Sequence, residues 1–247
     1  NLTVLNTTYL SGNQSYDDLY IGCGITSPCG SIISNGDLIL TVNTLTVASG
    51  GSIIAYESQS NSQGVGTSVT LSSSHRGDGA GGAGHYGSGG SGGAASGNGG
   101  SSYGVGNESG STGGSVYDSS SNLVSVGGTG GGKIVIYADV IEIYGTVDAS
   151  GQDGEEGYRY QNGSGNGGSG AGGGSGGSIV MRANEVTIGS SSGGSVLANG
   201  GNGGDGADGD CFGVCIGLYD GGNGGGGGSG GNIDIQANSQ ANLMISS

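Results

Sequence analysis

Side chains that could carry out catalysis are few and scattered in this sequence. The chain has two histidines, His75 and His85, and neither lies in a sequence context that would activate one of its many serines. The basic residues are widely separated, and no two carboxylates occupy matching positions of neighbouring strand-like segments, as the acid and base of a polysaccharide hydrolase or lyase would. The sequence therefore predicts that this protein is not an enzyme.

One segment carries carboxylates at a spacing that calcium-binding β-roll repeats use. Gly200-Gly-Asn-Gly-Gly-Asp205 matches the Gly-Gly-x-Gly-x-Asp start of such a repeat, and Asp208 and Asp210 follow. Hard carboxylate oxygens suit Ca²⁺. The motif occurs once, however, and Ala207 stands where a large apolar residue belongs. Two interpretations stay open, a weak calcium site and a solvated acidic turn, and no other cofactor is predicted.

The four cysteines form two local pairs in the sequence, Cys23 with Cys29 and Cys211 with Cys215. A zinc site would require closer spacing of cysteine and histidine, whereas local cysteine pairs are typical of core-poor proteins in oxidising compartments. The spacing favours two local disulfides, although four cysteines allow three connectivities. These pairs indicate an extracellular or cell-surface protein.

Asn-x-Ser/Thr sequons give a second indication of the exterior. They occur at Asn1, Asn6, Asn13, Asn107 and Asn162. A chain so rich in Asn and Ser would also contain sequons by chance. If the host glycosylates them, these side chains must face solvent, which makes them candidate glycosylation sites and glycans candidate partners.

The charge of the chain argues against nucleic acid as a partner. The formal net charge is −15, from 19 acidic residues against Arg76, Lys133, Arg159 and Arg182. Nucleic acid is bound by clusters of Lys and Arg, so we predict that it is not a partner.

No run of the sequence approaches the roughly 18 apolar residues of a membrane helix. No targeting segment opens the chain either, so we expect a secreted, mature form whose signal peptide has been removed.

The composition leaves little material for an ordinary core. Of 247 residues 66 are Gly, one is Phe and none is Trp, and disorder would be the simplest consequence. Four runs argue against it, because they alternate apolar and polar residues with the period of a β-strand. They are Leu38 to Val47, Lys133 to Val147, Ser178 to Ile188 and Asn232 to Ile245.

The strand-like runs belong to an internal repeat. Gly132-Lys-Ile-Val-Ile-Tyr-Ala aligns with Gly177-Ser-Ile-Val-Met-Arg-Ala and with Gly231-Asn-Ile-Asp-Ile-Gln-Ala, and a degraded copy begins at Gly36-Asp-Leu-Ile-Leu. Repetition at this spacing is typical of stacked repeat proteins. The sequence predicts an all-β chain, a parallel β-solenoid of short rungs with almost no helix.

Glycine recurs at every third position in the inserts between these copies. The rows are 81 to 93, 167 to 176, 200 to 209 and 221 to 230. A three-residue period is that of the polyproline II helix, which has no internal hydrogen bonds, so Gly-lined faces would let neighbouring segments pack and bond to each other. We therefore expect the inserts to pack as polyglycine II helices, the alternative being flexible linkers.

Two units of the repeat are Gly173-Gly-Ser-Gly-Gly-Ser-Ile-Val-Met-Arg-Ala183 and Ala198-Asn-Gly-Gly-Asn-Gly-Gly204. Through these units, residues 127 to 247 resemble widespread glycine-rich surface proteins. Proteins with such units look like cell-surface, sheath or filament components, and the inserts are similar in kind to those of phage tail-fibre adhesins and a springtail antifreeze protein. The resemblance implies an architecture more strongly than it identifies a family member.

These observations predict one continuous domain with three parts: a β-rich segment with short turns (1–76), a Gly/Ser-rich insert (77–132) and the repeated strand units (133–247). A solenoid without caps exposes unpaired strand edges, and residues 1–10 and Asn242 to Ser246 read as terminal apolar strands. We expect a structural subunit of an extracellular filament, sheath or surface coat, whose partners are copies of itself. The alternative is a monomeric adhesin or a glycan- or ice-binding solenoid, although Thr44-Leu-Thr46 is the only clear Thr-x-Thr rung.

Overall fold

A computed structural model describes residues 1–24, 29–57, 63–71, 79–93, 97–104, 107–158, 167–189, 193–209 and 221–238, together with the backbone of 243–245. Within these residues the regular structure is β-strand and no α-helix is present, so the all-β expectation is confirmed. The strands are β1 (Leu2–Val4), β2 (Thr7–Tyr9), β3 (Gly12–Ile21), β4 (Ser31–Asn35), β5 (Leu38–Val47), β6 (Ser52–Tyr56), β7 (Val69–Thr70), β8 (Val116–Tyr117), β9 (Leu123–Ser125), β10 (Lys133–Tyr137), β11 (Val140–Ile143), β12 (Thr146–Asp148), β13 (Ser178–Ala183), β14 (Glu185–Ile188), β15 (Ser195–Leu197), β16 (Asn232–Ala237) and β17 (Leu243–Ile245).

Successive passes of the chain pair in parallel and build three columns of strands. The first column contains the N-terminal halves of β3 and β5, then β10, β13 and β16. The second contains β1, the C-terminal halves of β3 and β5, and then β11, β14 and β17. The third, which is a separate sheet, contains β2, β4, β6, β12 and β15.

The sequence repeat is confirmed as a repeat of strands. Leu38, Ile134, Ile179 and Ile233 lie side by side in the first column, so all four copies of the motif pair in the register that their alignment predicts. Parallel strands require a long connection between them, and the glycine-rich inserts supply it for the later passes.

The hydrophobic core lies between the two large sheets. Alternate side chains of each strand point inward, and stacking the strands in register places aliphatic residues in continuous rows. Burying each such Leu, Ile or Val contributes about 1.5–3 kcal/mol, which offsets part of the cost of ordering a chain so rich in Gly. The fully buried members with the largest side chains are Leu19, Ile21, Ile32, Leu38, Leu40, Leu45, Ile53, Ile134, Ile136, Ile141, Ile143 and Ile179.

A ladder of short polar residues marks the boundary between the first and second columns. The N–H of Asp139 donates to the carbonyl oxygen of Asn43 (2.9 Å), and that of Asn184 donates to the carbonyl oxygen of Asp139 (3.0 Å). The side-chain amide of Asn184 also donates to Asp139 Oδ1 (2.9 Å), and Asn238 continues the ladder by donating to Asn184 Oδ1. Asn and Asp tolerate such corners because their side chains bond to nearby polar groups.

Residues 1–10 differ from the prediction of a single apolar strand. The structure has β1 in the second column and β2 in the third, with Leu5 and Asn6 at the bend between them. Alternation of apolar and polar residues is the same in one strand and in two strands joined by a bend, so only the pairing with β3 and β4 separates them.

Candidate functional site

The glycine-rich inserts form a packed body, which we call the glycine bundle. Its segments are 63–68, 79–85, 87–93, 97–104, 110–115, 127–132, 149–158, 167–177, 198–208 and 221–231. The inserts after β6, β12 and β15 all run from the third column back to the first, so the columns bring the segments side by side.

Segment 167–177 donates hydrogen bonds with a period of three residues. The N–H groups of Gly170, Gly173 and Gly176 donate to the carbonyl oxygens of residues 223, 226 and 229, at 2.8–2.9 Å. The next row, 171, 174 and 177, donates to residues 155, 152 and 149, and the row 172 and 175 donates to residues 114 and 111. Three donor rows therefore point at three different neighbours.

The carbonyl oxygens of the same segment accept from three further neighbours. Residues 80 and 83, residues 128 and 131, and residues 201, 204 and 207 each donate to it at intervals of three. Segment 167–177 is thus bonded on every side, and all of its residues are buried. Its six partners are 79–85, 110–115, 127–132, 149–158, 198–208 and 221–231.

Segment 79–85 is surrounded in the same way. Its N–H groups donate to segments 167–177, 63–68 and 87–93, and its carbonyl oxygens accept from 221–231, 110–115 and 97–104. Segments 167–177 and 79–85 run parallel to each other and each has six neighbouring segments around it, which is a hexagonal arrangement. Nearly every backbone polar group of these two segments is satisfied by another segment, which is what burial requires of main chain.

Steric clearance shows which glycines the packing needs. A Cβ added at Gly170, Gly172 or Gly173 would overlap a carbonyl oxygen of a neighbouring segment. A Cβ at Gly221, Gly224, Gly227 or Gly230 would find its nearest atom at 3.5–3.9 Å, and these four glycines are exposed. The three-residue row predicted as the packing face of 221–230 is therefore the outer face, whereas the row 222, 225, 228 and 231, together with Gly226, is tightly packed. Glycine fills both rows, so the sequence period could not distinguish them.

His85 is the one ionisable side chain of the described residues that is fully buried. Its ring Nδ1 lies 2.6 Å from the carbonyl oxygen of Gly176, which can only accept, so Nδ1 carries the proton. The rings of Tyr103 and Tyr86 pack against it at centroid distances of 5.1 and 5.6 Å. Burial lowers the pKa of His85, against smaller raising effects of the Gly176 carbonyl and the Glu108 charge.

The strand columns end in edges that have no neighbouring strand among the described residues. At one end these edges belong to β16, β17 and β15, and at the other to β1, β2 and the N-terminal half of β3. At the β16 edge the inward apolar row of the first column is not covered, because Ile233 is 42% exposed. Such edges are templates for pairing with another chain.

The structure places one predicted cysteine pair in contact. Cys23 and Cys29 are joined by a disulfide across a local antiparallel bridge. Cys211 and Cys215 lie outside the described residues, so their pairing stays a prediction.

The sequons and the acidic turn lie at the surface where they are described. Asn1, Asn6, Asn13 and Asn107 are exposed, as glycan attachment requires, and Asn162 lies outside the described residues. Asp205 and Asp208 are exposed on segment 198–208, and Asp210 is also outside the described part. Across the described residues no three His, Cys, Asp or Glu side chains converge as metal ligands would.

Comparisons with protein-family models, with curated proteins and with solved structures find no match to this chain. Among the residues that the structure describes, there is no helix with the length and apolar character to span a membrane.

Sequence reasoning missed two features, one in the strand columns and one in the glycine bundle. The polar ladder of Asn43, Asp139 and Asn184 was detectable, because these residues follow the first strand of each aligned copy. The role of His85 was not, because its neighbours Gly176 and Ser229 are far from it in the sequence and come together only through the bundle.

Proposed function

We propose that this chain is a structural subunit of an extracellular filament, sheath or surface coat, built as a parallel β-solenoid that carries a bundle of polyglycine II helices. The observation that carries the proposal is the pair of open column ends, at β15, β16 and β17 and at β1, β2 and β3. Contacts between two different ends of one molecule are heterologous, and stacking along the column direction does not return to the first copy, so such contacts generate fibres.

The register of the columns supports end-to-end stacking. Every pair in the three columns is parallel, and the inward row of the second column is aliphatic from Leu2 of β1 to Leu243 of β17. The inward rows of the first column are aliphatic from β5 to β16 and end at Gly12 and Gln14 of β3. A second copy placed on β16 would extend the columns and cover Ile233, which adds apolar burial to main-chain hydrogen bonds.

The bundle supports a structural role. Its segments are joined through backbone groups in all directions, which suits a durable material better than a cleft that must admit a ligand. The exposed sequons, the Cys23 disulfide and the resemblance to glycine-rich surface proteins favour a location outside the cell.

A pair of charge substitutions on β16 tests the proposal. Ile233→Lys places a charge on the open apolar row, whereas Gln236→Lys adds the same charge to an exposed residue of the same strand that faces away from that row. We expect wild type and Gln236→Lys to form filaments in electron micrographs and to sediment as polymers, and Ile233→Lys to remain monomeric.

Removal of residues 1–10 tests the opposite end of the columns in the same assay. A wild-type chain that stays monomeric at high concentration would refute the filament in favour of the adhesin.

One observation favours the second candidate, binding of a regular surface such as ice or a glycan by a single chain. Thr7, Ser31, Ser52, Thr146 and Ser195 stand in register across the third column and present a row of hydroxyls at the strand spacing of about 4.8 Å. Ser52→Tyr should abolish thermal hysteresis or glycan retention if this row binds, whereas Thr187→Tyr on the second column should not.

A further inference from the structure

The backbone and the side chain of His85 together join four segments of the glycine bundle. Its N–H is shared between Ser229 Oγ (2.8 Å) and the carbonyl oxygen of Gly87 (2.9 Å), and its carbonyl oxygen accepts from the N–H groups of Tyr103 and Gly104 (2.9 Å). With the bond from Nδ1 to Gly176, the residue connects segments 79–85, 97–104, 167–177 and 221–231 at one end of the bundle.

The second ring nitrogen of His85 is enclosed and has no hydrogen-bond partner among the described residues. Nε2 is buried, and a Cβ added at Gly104 would clash with the ring at Cδ2 and Nε2, so the backbone closes this side of the site. A hydrogen on Nε2 would therefore be a buried donor without an acceptor, which is costly.

Among the described residues, three titratable groups pack against the ring or act on its charge. Tyr86 follows it in the chain, Tyr103 comes from segment 97–104, and Glu108 acts on it through its charge. Oε2 of Glu108 is itself buried without a hydrogen-bond partner among the described residues, so its charge favours a cationic ring without bonding to it. Segments 167–177 and 221–231 present Gly176 and Ser229, which do not titrate.

We infer that His85 is an acid-operated latch of the glycine bundle: when the ring takes up a proton, the end of the bundle at Tyr103, Gly176 and Ser229 opens and gives Nε2 access to water. The inference concerns regulation of the bundle and does not depend on filament assembly.

The direction follows from linkage. Because burial lowers the pKa of His85, the opened bundle binds the proton more readily than the closed one. Above the ordinary value of 6.5 the ring is neutral in both forms and the closed bundle has its full stability. As the pH falls below that value, the opened form is protonated first, so the closed bundle loses stability relative to the opened one. The loss ends once the pH is below the pKa of the closed form, because both forms are then protonated.

Amide exchange of the full chain between pH 7.5 and 5.0 tests the latch, with rates corrected for intrinsic exchange. The probes are the N–H groups of Tyr103 and Gly104, which donate to His85. We expect these amides to lose protection in wild type and in His75→Asn, which removes the other histidine. His85→Asn, which retains a side-chain N–H donor but cannot titrate in this range, should keep the same protection at both pH values.

The opposite results would overturn the inference. Unchanged protection in wild type, or an equal loss in His85→Asn, would exclude His85 as the group that responds. Should His85→Asn fail to fold, Glu108→Gln decides: removing the carboxylate charge removes a stabiliser of the cation, so the acid-induced loss should be at least as large as in wild type, and a smaller loss refutes the latch. In each case the monomeric chain suffices, so the result is separable from the fate of the filament proposal.

Discussion

The strand columns consist of parallel segments and the glycine bundle of parallel and antiparallel ones. Both are joined by backbone hydrogen bonds, but they fill the space between segments in opposite ways. In the columns, hydrogen bonds run in one direction and Leu, Ile and Val fill the perpendicular space between sheets. In the bundle, hydrogen bonds run in every direction around 79–85 and 167–177, and backbone lies directly against backbone.

The difference separates two sources of stability. Each buried apolar side chain of the columns contributes a few kcal/mol through the hydrophobic effect, whereas a net hydrogen bond contributes about 0.5–1.5 kcal/mol and Gly loses the most backbone entropy on folding. The bundle therefore depends on the columns, which hold the ends of its segments in register. We expect the bundle to open before the columns unfold.

The largest effect should come from a cavity in the columns. Ile136 is fully buried in β10, in the row between Leu40 and Met181, and Ile136→Ala should lower the free energy of unfolding by about 2–5 kcal/mol. Ile136→Val, which keeps the branched shape, should cost about 0.5–1.5 kcal/mol. Urea unfolding followed by circular dichroism measures both. Similar small losses in the two variants would show that the columns do not supply the main stability.

A methyl group in the centre of the bundle should have the next largest effect. Gly172→Ala places a Cβ against the carbonyl oxygen of Gly81 and should cost about 1–3 kcal/mol through overpacking. Gly227→Ala is the matched control, because its nearest atom is 3.6 Å away and its φ is not left-handed, so we expect no loss or a gain of about 0.4–1 kcal/mol. Hydrogen exchange of bundle amides resolves the two. Equal behaviour would contradict the assignment of inner and outer glycine rows.

Loss of the Cys23 to Cys29 disulfide should have a smaller and more local effect. The bridge closes a short loop beside the second column, so replacing both cysteines by Ser should cost about 2 kcal/mol. Exchange of β3 and β4 amides should increase while that of the bundle stays unchanged. An increase across the bundle would show that the two regions are more strongly coupled than the structure indicates.

The smallest effect should come from the polar ladder between the columns. Asp139→Ala removes the acceptor of the Asn184 side chain and should cost about 0.5–1.5 kcal/mol, whereas Asp139→Asn keeps an acceptor oxygen and should cost less. Thermal unfolding of the two variants measures the difference. If Asp139→Asn is the more damaging, the carboxylate charge and not the hydrogen bond stabilises the corner.

Much of the strand architecture could be predicted from the sequence, because period-two alternation and a repeated motif specify both the element and its register. The pairing of Ile134 with Ile179, and of Ile179 with Ile233, follows from aligning three glycines. The division of residues 1–10 into β1 and β2 could not be predicted, since a bend leaves the alternation unchanged. The Asp205, Asp208 and Asp210 motif stays a prediction of the sequence alone.

By itself the sequence determined that strands would stack and that its inserts had a three-residue period, because both properties reside in local spacing. The tertiary structure decided which glycine row faces inward, which segments become the two axes of the bundle and that His85 is enclosed among Gly104, Gly176 and Ser229. These depend on contacts between residues tens of positions apart, and a chain in which glycine fills both the inner and the outer rows carries no local signal that distinguishes them.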